Sequence, residues 1–237
     1  MDIGQGLSIL SQLKDPINYP EITYLGNTFR EMRLFLAKDL GTDMRMRMPQ
    51  DTTQPGDFLL PNGRNLALVL NDLQHKRSLR PIVERLKEFY CRVEDITTRT
   101  YGGTIQLFIH EQGLAQPIPA ARLSDGTLRY LCLLTILCHP EPPPLLCIEE
   151  PELGLHPDIL PTIAELLIEA SQRTQLIVTT HSDVLVSALS DVPEAVLVCE
   201  RDKEGTHLHR LEPDRLKEWL EKYSLGELWR MGEIGGN

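Results

Sequence analysis

The sequence predicts an α/β fold: a mostly parallel sheet flanked by helices, preceded by an N-terminal helical part and a β-hairpin. Three observations carry this. From Leu123 onward, short apolar runs alternate with helical patterns, the order that lays parallel strands between covering helices. The polar residues of that half follow the apolar runs directly. Glu149-Glu150 stand behind one and Thr179-Thr180-His181-Ser182 behind the next, at the strand ends where ligands collect in such sheets. Between Val93 and His110 the apolar period changes from helical to alternating around Gly102-Gly103, a hairpin signal.

Taken in order, residues 1–60 are broken by the turn signals DPINYP, GTD, PQD and QPGD. Between them, residues 28–40 space Phe29, Met32, Leu36 and Leu40 as a helix would. A second helix is expected near Asn65 and a third after Pro81. Residues 93–101 and 104–110 form the hairpin. Ser124 can cap a helix that stops before Pro140, residues 145–148 make a short buried strand, and residues 157–170 make a helix. Residues 175–178 read as a strand, 182–189 as a helix and 195–199 as a third strand. Residues 207–211 extend the sheet and 214–223 close with a helix. We divide the chain into 1–122, a helical and hairpin part, and 123–237, the α/β core.

Composition narrows the classes. The 237 residues, 41% hydrophobic and 24% charged, suffice for a substantial core. A net charge of −10 gives no general attraction to nucleic acid, so DNA binding has no support from charge. No apolar stretch approaches the roughly 20 residues of a membrane span, and MDIGQGLSILSQLKD has no signal-peptide pattern. Cys91, Cys132, Cys138, Cys147 and Cys199 form no CxxC. They read as small buried hydrophobes of a reducing cytoplasm.

Three motifs could carry chemistry. The adjacent carboxylates of LLCIEEPELGLHP (145–157) suit either of two roles. They can complement the dipole of the helix near Pro157. Alternatively, one orients a hydrated magnesium while its neighbour orients an attacking water, as phosphoryl transfer requires. LSDGT (123–127) is either a plain helix cap or an anion seat of a hydroxyl and unshielded N–H groups. TTHS (179–182) is either a strand-to-helix turn or a site carrying a working histidine.

Together, the order and spacing of these motifs resemble the signature motif, Walker B motif, D-loop and switch histidine of ABC-type ATPases. The wording EEPELGLHP is similar to the SMC/RecF-like and OLD-like branch. SILSQLKDPINYPEI (8–22), NGRNLALVLNDL (62–73) and SLGELWRMGEIGGN (224–237) extend the resemblance to predicted bacterial AAA-type ATPases over nearly the whole chain. The resemblance implies the C-terminal portion of a P-loop NTPase head using ATP and Mg2+. Glu150 would be the general base, Glu149 the magnesium-side carboxylate through water, and His181 the γ-phosphate sensor. Ser124, Asp125, Gly126 and Thr127 would meet the γ-phosphate of a partner's ATP in trans, and residues 153–156 would cross a head-to-tail homodimer interface.

The sequence departs from that pattern twice. Glu149 stands where transporters have aspartate. No G-x-x-x-x-G-K-[ST] occurs, and none of the seven lysines follows a glycine. The nearest imitation, LPNGRN (60–65), has arginine in place of the loop's continuation. The resemblance puts Walker A in an upstream segment, so this polypeptide is expected to be inactive alone and to expose a strand edge. Two alternatives stay open: a regulatory or binding module that keeps the ATPase fold without catalysis, and a metal-dependent nuclease using Glu149, Glu150, Glu152 and a histidine.

Overall fold

A computed structural model describes residues 8–236; Met1–Leu7 of the N-terminal stretch and Asn237 of the closing segment lie outside it. The chain begins with a short helix α1 (Ile9–Gln12), capped by Ser8, and a longer α2 (Pro20–Glu31). Here the sequence expectation fails. Residues 28–40 are not one helix: α2 ends at Glu31, Met32 turns extended, and Arg33–Phe35 form the strand β1. The run RLFL fits either period over so short a window. A parallel partner far along the chain decides it, pairing Arg33 with Leu146 and Phe35 with Ile148.

After β1 come β2 (Gln50–Asp51), α3 (Leu66–Lys76) and α4 (Arg80–Phe89). The long hairpin β3 (Val93–Tyr101) and β4 (Thr104–Glu111) follows, then β5 (Ile118–Pro119). Gly102 and Gly103 both take positive φ, 56° and 80°, as a two-residue turn matching strand twist requires. Along β4, Ile105, Leu107 and Ile109 are buried on one face, as the alternating pattern implies. Asn65 ties the preceding loop together. It accepts from Leu60 N–H at 2.8 Å and donates to the carbonyls of Pro55 and Phe58 at 2.7 and 2.8 Å. Fully buried, it leaves no amide group wasted.

The helix α5 (Asp125–Leu137) runs through the centre, with every residue from Leu128 to Leu137 buried. It packs among α3, α4 and the next helix, in one core cluster that draws on both halves of the chain. Then come β6 (Leu145–Glu149), α6 (Leu160–Ser171), β7 (Gln175–Thr179) and α7 (Asp183–Ser187). The parallel sheet has the order β1-β6-β7. One face carries Phe35, Leu146 and Ile148 into the core. The other carries the rung Leu34–Cys147–Ile177, whose outer members are 53% and 51% exposed. Within the described residues, β7 is an edge strand.

The chain closes with β8 (Leu197–Arg201), β9 (Thr206–Arg210), α8 (Pro213–Leu220) and α9 (Leu225–Met231). Residues 195–199 and 207–211 were expected to widen the parallel sheet. Instead β8 and β9 pair antiparallel with each other and form a separate two-stranded sheet. They sit over a second, smaller cluster of Val186, Val198, Leu211, Leu225, Leu228 and Ile234. The short turn between them decides this, because strands so close in sequence pair locally as a hairpin. α9 lies hard against α7: a Cβ added to Gly226 would stand 2.0 Å from the carbonyl oxygen of Asp183.

The cysteines also differ from expectation. Only Cys132 is buried, its thiol pushed up to about 12 by burial; Cys91 and Cys199 are exposed. Among the described residues, no helix is long and apolar enough to cross a membrane.

Candidate functional site

The acidic pair stands at the carboxyl end of β6, and the backbone sends its members apart. Glu149 still pairs with Thr179 on the last rung. Its Oε2 accepts from the N–H of Ala37, just beyond β1, at 3.2 Å. Glu150 then leaves the strand at φ 41°, the one positive φ of a non-glycine residue among those described. That turn aims its carboxylate toward β7, and its Oε1 lies 3.9 Å from His181 Nε2. His181 is 85% exposed at the side chain, so the pair faces open space beyond the strand ends. Adjacent carboxylates thus point to opposite sides of one strand.

Neither glutamate caps the following helix. Residues 151–155 turn first, and His156 takes the cap position, its Nδ1 accepting from Asp158 N–H at 3.3 Å. Of the two roles open in the sequence for the pair, helix-terminal charge therefore has no helix end to act on.

Glu152 joins the two loops of the site. Its Oε1 accepts from Thr180 Oγ1 at 2.6 Å and from His181 N–H at 3.0 Å, while its buried Oε2 has no partner. Thr180 Oγ1 in turn accepts from Ser182 N–H, and Ser182 Oγ caps α7 through Leu185 N–H at 3.2 Å. The position of His181 is thereby set from the turn after the acidic pair. Sequence reasoning placed Glu152 in that turn without giving it this task.

Ser124 to Thr127 form a second group. Ser124 Oγ accepts from Thr127 N–H at 3.0 Å and lies 2.8 Å from Thr127 Oγ1, so the serine is a true N-cap of α5. Asp125 is ion-paired with Arg47, whose guanidinium also donates to the Leu123 carbonyl. Gly126 faces the turn after the acidic pair: a Cβ there would stand 3.1 Å from the Gly154 carbonyl oxygen. The structure brings Glu150 and His181 within 3.9 Å of each other and leaves Glu149 at the same sheet end, turned to the β1 side. It sets Ser124–Thr127 beside Gly154, with no hydrogen bond or ion pair joining the two groups among the described residues. Arg47 and Ala37 were missed by the sequence. They act from an irregular loop, where no periodicity marks a side chain or an amide for a distant partner.

A magnesium ion suits Glu149. The side chain is exposed, a hard oxygen donor at the open end of the sheet, and one or two carboxylates with water and phosphate oxygens are the usual magnesium set. Among the described residues, no group of three His, Cys, Asp or Glu side chains is placed to hold a metal by itself.

The fold is a mixed α/β one whose parallel sheet carries Glu149, Glu150 and His181 at its strand ends, and the class it belongs to is that of AAA-type ATPase domains. More particularly, the chain belongs to the family described as "AAA domain, putative AbiEii toxin, Type IV TA system", whose pattern matches residues 6–187. No curated protein matches it in sequence. Among solved structures it is similar to the SMC head bound to the C-winged helix domain of ScpA. That pair is 13% identical over 64% of this chain and 48% of that one, with a TM-score of 0.46. The Smc head domain with a coiled coil and joint from Pyrococcus yayanosii is 16% identical over 65% and 32%, with a TM-score of 0.44. The SMC head domain from Thermotoga maritima is 18% identical over 60% and 51%, with a TM-score of 0.41. The chain spans about a third to a half of the length of these heads.

Proposed function

We propose that this chain carries the Walker B, signature and switch parts of an ATPase head that hydrolyses MgATP at a head-to-tail homodimer interface. Residues 1–122 and 123–237 act as two parts of one head. A strand, a G-x-x-x-x-G-K-[ST] loop and a helix from outside residues 1–237 complete the site.

The observation that carries this reading is the uncovered side of the parallel sheet. Parallel sheets are covered on both faces. Here the rung Leu34–Cys147–Ile177 is open, β7 offers an unpaired edge, and Glu149, Glu150 and His181 stand at the end of that open side. One strand on the β7 edge and one helix on the open rung would meet both needs. The loop joining them would then pass the acidic pair, where a phosphate-holding loop belongs.

In this reading Glu150 orients the water or takes its proton, and Glu149 holds magnesium through water. Bound magnesium would neutralise phosphate charge. His181 senses the γ-phosphate, with its loop fixed by Glu152. Ser124 and Gly126 present a hydroxyl and backbone N–H groups to the partner's nucleotide. In the complete head, Glu150→Gln is expected to abolish turnover while preserving ATP-dependent dimerisation. Unchanged hydrolysis would remove Glu150 from its role.

A further inference from the structure

Arg129, near the start of α5, is a second polar group of this region, in addition to the partnerless Oε2 of Glu152, that the ATPase arrangement leaves without a task. It is 6% exposed, on the inner side of α5, and makes no side-chain hydrogen bond or ion pair among the described residues. Burial draws its pKa down, with Cys132 and Asp125 acting electrostatically against that shift. Its nitrogens are not sealed off, since the fully buried partnerless side-chain atoms among the described residues are Thr23 Oγ1 and Glu152 Oε2, so an unpaired cation stands where an anion can reach it.

Its direction is set by helix geometry. Long side chains on a helix lean back over the preceding turn, so Arg129 reaches toward Asp125 and Gly126. The Gly154 turn confirms the path: a Cβ there would stand 3.6 Å from Arg129 Nε and 3.8 Å from Cζ. The Gly154 carbonyl in turn abuts Gly126. The guanidinium therefore lies under the seam between the start of α5 and the turn after the acidic pair.

The same seam offers N–H groups. The first amides of a helix have no partner within it, and Ser124 takes only that of Thr127, so those of Asp125 and Gly126 point outward. Asp125, whose carboxylate would repel an anion, is neutralised by Arg47.

We propose that Arg129 is the cation of a phosphate seat formed by the start of α5 and the Gly154 turn. This rests on the reading that the signature turn meets a nucleotide phosphate, and it adds a charged partner that the serine and glycine do not provide. Arg129 closes on the anion from below while the helix amides hold it from the end. A planar guanidinium suits a phosphate because two N–H groups can meet two oxygens at once.

The test uses the full chain, isotope-labelled and titrated with inorganic phosphate at low ionic strength. The Arg129 Nε–H resonance should move with the Gly126 and Thr127 amides along one saturation curve. Arg129→Gln should weaken binding by about tenfold or more with the rest of the spectrum unchanged, and Arg129→Lys should recover part of it. An Arg129 resonance that stays still at saturating phosphate overturns the proposal, and that measurement needs no variant. Equal affinity in a folded Arg129→Gln chain overturns it too. Phosphate binding through Arg129 without MgATP-driven pairing of complete heads would keep this inference and remove the dimer reading. Pairing of complete heads with a silent Arg129 would do the reverse.

Discussion

Glu150 holds a backbone conformation that a side chain resists, at φ 41° and directly before Pro151. An L-residue there carries roughly 1–2 kcal/mol of steric cost. The Glu150 N–H to Thr179 carbonyl bond at 2.8 Å helps hold it. We therefore expect Glu150→Gly to stabilise this chain by up to about 1 kcal/mol, read as a higher urea midpoint. A lower midpoint would mean that the carboxylate supports the fold and not only the site. His139 gives a second residue-level expectation. Burial beside Phe58, ring to ring at 4.9 Å, holds its pKa below the usual histidine value. The unfolded chain then binds a proton that the folded chain refuses, so stability is full above about pH 6.5 and falls as pH drops below it. Replacing His139 by leucine should flatten that slope between about pH 6.5 and 5. An unchanged slope would assign the loss to other groups.

At the scale of elements, β1 and the open rung decide most. Ile177 is exposed in this chain, so Ile177→Lys should change stability by no more than about 0.5 kcal/mol. If a helix covers that rung in the complete head, the same change should block assembly with a separately expressed strand–loop–helix unit. Co-purification that survives the lysine would count against the covering layer. The elements differ in how far the sequence disclosed them. α5, β6, β7 and the hairpin of β3 and β4 were legible because each run is long enough, or punctuated clearly enough, to fix its period. β1 was not, since three residues cannot declare a period by themselves. β8 and β9 were legible as strands, but not as a sheet apart, because no pattern within a strand names its neighbour. In the candidate site, Glu149, Glu150, His181 and Ser124 were readable from their places after strands and before helices. Arg47, Ala37 and Arg129 were not, since their partners are brought near only by folding.

For the whole molecule, an acidic surface, an open parallel-sheet face and a free β7 edge argue for a chain that needs a partner layer. We expect this polypeptide alone to bind MgATP weakly or not at all, and to self-associate as concentration rises. Isothermal titration giving micromolar MgATP affinity for residues 1–237 would remove the need for an outside phosphate loop. What the sequence by itself determined was the α/β class, the polar residues at the strand ends, and the side-by-side glutamates. Those follow from local period and from the order of motifs along the chain. Only the tertiary structure decided that Glu149 turns to β1 and Glu150 to His181, and that Glu152 sets the histidine's loop. It also decided which sheet face stays open. The physical reason is pairing over long separations: β1 meets β6 across more than a hundred residues, and no local pattern records that contact.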